Sequence, residues 1–185
     1  PARAMVELAR IVSDANQTLT MFLPPGRGQI VFRTKDLELV SQLIDGAYPE
    51  LEQLIPTRYN TRTVLPTQEF LKACKRVEIF AREGSNIARL NITPGGDLQP
   101  GMVEISGQSE ETGSNENRID ATVEGQPQLI AFNVSFLREV LDVLKTPSVA
   151  LETTSDKAPG VIRPVGDEKL AASFVHVVMP MHLGG

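Results

Sequence analysis

The sequence predicts an α+β fold of repeated βαβββ units, with helices on one face of antiparallel sheets. Three observations carry this. Helix-type and strand-type apolar periodicities alternate along the chain, and a helix followed by three strands occurs both at its start and at its end. In both copies the middle strand follows a Pro-Gly turn, Pro25-Gly26 and Pro159-Gly160. A small repeated unit points to a symmetric scaffold rather than to a catalytic cleft.

Pro1 to Ser13 reads as a helix, since Pro suits a first turn and Met5, Leu8, Ala9 and Val12 recur at helical spacing. Asp14, Ala15 and Asn16 end it. Thr18 to Leu23, Gln29 to Thr34 and Leu37 to Ile44 read as strands, the first two separated by the turn Pro24-Pro-Gly-Arg-Gly28. Asp45 to Pro56, with two prolines and a glycine, suits a domain linker. In the second helix Thr67 is the expected cap and Phe70, Cys74, Val77 and Ala81 form the apolar stripe. Ile87 to Ile92, Met102 to Gln108 and Arg118 to Val123 are strand candidates, with Pro94 to Asp97 and Ser109 to Asn117 as polar loops. Leu129 to Phe132 leads into a third helix capped by Asn133, with Val134, Leu137, Leu141 and Leu144 inward. Val149 to Thr153, Gly160 to Arg163 and a long apolar Ser173 to Met179 close the chain as strands.

Composition bounds the function. The 185 residues are 41% hydrophobic, enough for a packed core, and the net charge is −5. A single cysteine, Cys74, excludes an internal disulfide and any multi-cysteine metal site, which fits a reducing cytosol. No signal peptide opens the chain and no apolar run reaches the ~18–20 residues of a membrane span. Trp is absent, which disfavours stacking platforms for single strands. Cys74 on an apolar stripe reads as an inert core residue. His176 and His182 lack metal-ligand spacing, and no nucleophile–base order, phosphate-cradling loop or carboxylate pair stands out. The chain is therefore read as non-enzymatic, without cofactor or metal. It starts at Pro1 rather than Met, so it reads as a fragment or a processed chain, with Gly184 and Gly185 as a native or an added tail.

Three segments resemble a known family. Leu43-Ile-Asp-Gly-Ala-Tyr-Pro-Glu50, Asn133-Val-Ser-Phe136 after Ile130-Ala-Phe132, and Val177-Val-Met-Pro-Met-His-Leu183 are similar to motifs of the bacterial DNA polymerase III beta subunit. The resemblance runs from Pro1 to Leu183. It implies the DNA clamp fold, with three domains of two βαβββ halves per chain. Two such chains dimerise head to tail into a ring with helices lining the hole. Residues 1–52 then correspond to the second half of the middle domain plus linker, and 57–183 to the complete C-terminal domain.

The function implied is that of a processivity factor in DNA replication. The ring encircles duplex DNA without reading sequence and recruits polymerase, clamp loader and repair proteins through one peptide-binding groove, in the bacterial cytoplasm at the nucleoid. The alternative is a stand-alone clamp-like peptide-binding module that does not encircle DNA. Carried over, the groove comprises Pro49, Gln53 and Leu54 from the linker, Asn133 and Phe136 from the helix start, and Val177, Val178, Met179, Pro180, Met181 and His182 from the tail. The family usually has Arg where His182 stands, and often Tyr and Arg where Leu51 and Gln53 stand, so charge contact to an acidic peptide is weaker here. Ile79 and Phe80 match the pair that packs on the partner subunit. Replacing both by Ser in the full-length protein is expected to leave monomers by sedimentation. Arg3, Arg10, Lys72, Lys75, Arg76, Arg138 and Lys145 would face DNA, although such residues equally make ordinary solvated helix faces. A basic channel is compatible with a net charge of −5 because binding depends on where charges sit.

Overall fold

A computed structural model describes residues 1–12, 18–48, 50–82, 85–96, 99–109, 111 and 113–182. The chain divides into two compact units, Pro1–Pro49 and Glu50–Gly185, within the stretch expected to be a linker.

In the first unit, α1 (Ala2–Ile11) precedes an antiparallel sheet of β1 (Thr20–Phe22), β2 (Gln29–Arg33) and β3 (Glu38–Gln42), in the order β1-β2-β3. The expected elements are present with shorter ends; the helix stop at Asp14 to Asn16 lies outside the described residues. The β2–β3 turn closes through the Thr34 N–H donating to the Leu37 carbonyl at 2.8 Å. Arg33 pairs with Glu38 and stacks over the Phe22 ring at 5.2 Å. Only Val31 and Phe32 of the described hydrophobic residues are buried here, and α1 buries none. Its most covered positions are Ala4, Glu7, Leu8, Ile11 and Val12, so the stripe is rotated from the expected one, with Met5 and Ala9 outside.

The second unit begins with a short helix, α2 (Leu51–Leu54), where an irregular linker was expected. The strand β4 (Thr61–Pro66) runs directly into α3 (Thr67–Ala81). That strand is hidden in the sequence because two of its three inward residues, Thr61 and Thr63 beside Leu65, are polar, so no apolar alternation marks it. Thr67 is not the cap. Pro66 holds that position, and Thr67 is the first helical residue, fully buried, with its N–H donating to the Pro147 carbonyl at 3.0 Å and its hydroxyl unpaired.

A meander of β5 (Ile87–Thr93), β6 (Gly101–Ser109) and β7 (Gly113–Gly125) follows. The expected loop Ser109 to Asn117 is largely strand: the register continues to Ser109↔Gly113. Ser114 to Asn117 are polar on both faces of the strand, so they read as loop from composition alone. Then β8 (Gln128–Asn133) runs directly into α4 (Val134–Val143), followed by β9 (Ser148–Thr153), β10 (Gly160–Val165), α5 (Glu168–Ser173) and β11 (His176–Val178). The helix α5 was not expected; the Asp167 carboxylate caps it by accepting from the Leu170 N–H at 3.0 Å. It overlaps the expected strand Ser173 to Met179 only at Ser173; β11 is short because Phe174 and Val175 connect α5 to it and its pairing ends at Val178.

The order β11-β10-β9-β4-β7-β6-β5-β8 displays the repeat: β4-α3-β5-β6-β7 and β8-α4-β9-β10-β11 are two βαβββ halves. They exchange opening strands, β4 pairing with β9 and β8 with β5, each over six residues. The two ends of the order meet through a bridge between Phe132 and Pro180 and the Met181 N–H donating to the Ala131 carbonyl at 2.8 Å. Gly160 makes room for this closure, since a Cβ there would lie 2.8 Å from the Phe132 ring. Gly107 does the same for α3, whose Val77 side chain would lie 2.7 Å from a Cβ. The core between sheet and helices holds Phe70, Leu90, Ile105, Phe132, Leu137, Leu141 and Leu151, all fully buried.

Candidate functional site

Two surfaces of the second unit collect the predicted residues. The first is the tail. β11 carries Val177 and Val178 into an antiparallel pairing with β10, Val177↔Val161 and Val178↔Gly160. Val178 is 2% exposed and anchors the tail in the core, whereas Met179 is 59% exposed. Pro180 and Met181 then lie along Phe132 and Ala131 of β8, immediately before the α4 cap. Asn133 caps as expected, its side-chain oxygen accepting from the Ser135 N–H at 3.0 Å. Phe136, in the first turn of α4, is 53% exposed.

The structure thus brings Pro180 and Met181 onto the strand that leads into Asn133 and Phe136, while Val177 and Val178 stay paired with β10, and the large apolar side chains of Met179 and Phe136 are open to solvent. His182 is exposed. Gln53 and Leu54 sit on α2, both exposed, and the bonds of Gln53 are local, to the Glu50 carbonyl and carboxylate. Pro49 lies outside the described residues. His176 on β11 is half-buried; burial pushes its pKa down, partly opposed by Glu139 of α4.

The second surface is the paired helices α3 and α4. Lys72, Lys75 and Arg76 are exposed on α3 as expected. Lys75 pairs with Asp142 at 2.8 Å, and Arg76 donates to the Asn117 amide oxygen at 3.1 Å. Arg138 is more enclosed: it contacts Glu78 at 3.0 Å, Asp142 at 3.3 Å and Glu139 at 3.7 Å. Its hydrogen bond and charge contact with Glu78 hold the guanidinium above its already high pKa. Lys75, followed by Arg138, holds the Asp142 carboxyl below its ordinary range against a smaller opposing effect of burial. Lys145 donates to the Asp142 carbonyl at 2.8 Å. On α1, Arg10 pairs with Glu7 at 2.9 Å and Arg3 is exposed.

Sequence reading missed the acidic partners. Glu78 and Arg138 are 60 positions apart, and only the Arg138–Asp142 pair at i,i+4 left a local signal. It also missed Arg82, exposed at the end of α3. Ile79, beside it, is 64% exposed although a helix-end apolar residue is usually core; Phe80 is half-buried. Cys74 is fully buried, and burial pushes its thiol pKa well up. Among the described residues, no cluster of His, Cys, Asp and Glu is placed to hold a metal, and no helix is long and apolar enough to cross a membrane.

A sequence profile described as the DNA polymerase III beta subunit, C-terminal domain, matches residues 52–182. The chain belongs to this family. It is 30% identical over 183 residues to a beta sliding clamp of Synechococcus elongatus, an alignment that covers 99% of this chain and 47% of the relative. The crystal structure of the DNA polymerase sliding clamp from Bacillus subtilis matches with a TM-score of 0.72 at 30% identity, over 98% of this chain and 46% of that one. That of the DNA polymerase III subunit beta from Pseudomonas aeruginosa matches with a TM-score of 0.75 at 25% identity, over 99% and 47%. The chain spans about half the length of the relatives it matches. The two βαβββ halves of the second unit are therefore the repeat of the beta-subunit clamp fold, and the matched range holds the tail, both paired helices and all of α2 but its first residue.

Proposed function

We propose that this chain is part of a sliding clamp, a processivity factor that encircles duplex DNA and recruits partner proteins by their short peptides. The observation that carries the reading is the tail of this beta-subunit-family chain lying along β8, with Met179 and Phe136 exposed on either side of the junction. Apolar anchors beside a rigid strand suit capture of a short peptide, in which a few buried side chains dominate the energy. Met is suited to several partners because its thioether chain adapts its shape.

The helices support the duplex half of the reading. A ring needs cations near phosphates rather than base contacts, and α3 presents Lys72, Lys75 and Arg76 on its exposed face. Assembly would use Ile79 with the open side of β7, whose residues from Gly113 to Ala121 pair, among the described residues, with β6 alone. In this reading residues 1–52 form half of a middle domain, 57–183 form the complete last domain, and the chain works in the cytoplasm without catalysing a reaction.

The test is fluorescence polarisation of a labelled Gln-Leu-x-Leu-Phe peptide titrated with this chain. Saturable binding lost in Phe136→Ala and Met179→Ala, both exposed and so compatible with folding, supports the groove. Binding indifferent to both substitutions, or absent when upstream domains are also supplied, overturns it. Peptide capture without duplex association, in the presence of those domains, would favour the stand-alone module.

A further inference from the structure

The charges between α3 and α4 carry an inference that rests on the duplex reading. We propose that Glu78 and Asp142 limit how strongly this helix pair grips DNA: they tie Arg138 and Lys75 into a brace between the helices, leaving Lys72 and Arg76 as the α3 cations open to phosphate.

The brace is a chain of three contacts that crosses twice between the helices. Lys75 and Glu78 lie on α3, Arg138 and Asp142 on α4, and contacts run Glu78–Arg138 at 3.0 Å, Arg138–Asp142 at 3.3 Å and Asp142–Lys75 at 2.8 Å. The Ser135 hydroxyl adds a bond to Glu78 at 3.2 Å. These two cations and two carboxylates sum to zero charge, and Glu139 adds a third carboxylate at 3.7 Å from Arg138. Of these three contacts the Glu78–Arg138 pair is the most covered, with side chains 14% and 29% exposed, so salt screens it less than an open surface pair. Lys145, at the end of α4, donates to the neutral Asp142 carbonyl, which leaves its charge uncompensated by that bond.

Lys72 and Arg76 differ. Among the described residues Lys72 has no carboxylate partner, and Arg76 reaches only the neutral amide of Asn117. The two are one helical turn apart, about 6 Å along the axis. A cation already neutralised by its neighbours displaces fewer counterions from DNA, so the salt dependence of binding counts the open cations and not the sequence total. A sleeve that must slide benefits from this limit, because each added phosphate contact deepens the hold at every position.

The test is association of this chain with a mixed-sequence duplex by fluorescence anisotropy between 50 and 200 mM salt, beside thermal unfolding of each variant. Lys72→Gln and Arg76→Gln should each flatten the slope of log K against log salt by about 0.9, a roughly 3–4-fold smaller loss across that range, with the unfolding midpoint unchanged. Asp142→Asn should steepen the slope and tighten binding at low salt while lowering the midpoint, a combination that a purely structural carboxylate does not produce. Arg138→Gln should lower the midpoint and leave the slope alone. Lys75→Gln should also leave the slope alone, and it decides the matter if Asp142→Asn fails to fold. A slope lost in Lys75→Gln, or unchanged in a folded Asp142→Asn, overturns the brace while the duplex reading stands. Wild-type chain that does not associate even at 50 mM overturns the duplex reading and the brace proposal with it.

Discussion

The two units start from similar instructions and reach different ends. In each, an amphipathic helix is followed by three antiparallel strands: α1-β1-β2-β3 in the first, α4-β9-β10-β11 in the second. Yet α4 buries Val134, Leu137, Val140 and Leu141, whereas α1 buries none of its residues. Met5, Val6, Met21, Leu23, Ile44 and Tyr48 of the first unit all stay exposed. The difference lies in what the half meets. The second-unit half is completed by β4 to β7, which supply a paired opening strand and a facing helix. An apolar stripe specifies which side wants to be covered, but only a complementary half removes it from water.

Hydrogen exchange should show the largest contrast. Amides of β4 and β9, paired on both sides in the middle of the eight-strand order, should exchange roughly a thousandfold more slowly than those of β1 to β3, as expected where one unit opens globally and the other locally. Equal protection in both would break the comparison. Equivalent truncations should sharpen it. Leu137→Ala should cost about 2–5 kcal/mol by urea denaturation, as for a fully buried leucine, whereas Leu8→Ala on the half-covered α1 should cost under about 1 kcal/mol.

Gly160→Ala tests the closure of the eight-strand order. Its methyl group would meet the Phe132 ring, so a loss of about 1–3 kcal/mol is expected, with part recovered by Phe132→Leu. The smallest effect is acid titration of the helix brace. Asp142 has its folded-state pKa lowered below the ordinary value of 3.8, chiefly by Lys75. Its contribution is therefore complete above that value and disappears as pH falls through the lower folded pKa. The midpoint difference between wild type and Asp142→Asn should hold at neutral pH and close only in the acid range below 3.8. A difference that closes near pH 6 would point to a different group.

Legibility in the sequence followed the range of the interaction. Helix stripes such as Phe70, Cys74, Val77 and Ala81, the Asn133 cap and the Pro25-Gly26 turn depend on neighbours a few positions away, and all were readable. β4 was not, because two of its inward residues are threonines, nor was the first part of β7, whose side chains are polar although its backbone is paired. The tail was recognisable as a motif, but the motif does not say that Val178 points into the core while Met179 points out.

By itself the sequence determined the order and periodicity of the three long helices and of most strands, the repeat, and membership of the beta-subunit family, since each is written in local spacing and in residue identity. Only the tertiary structure decided that the eight-strand order closes at Phe132 and Pro180, that Gly160 makes room for that ring, and that Arg138 is matched by Glu78 while Lys72 is not. These outcomes join residues tens of positions apart. Contacts of that range are set by how two halves pack, because the same charge or methyl group is open or enclosed according to which half faces it.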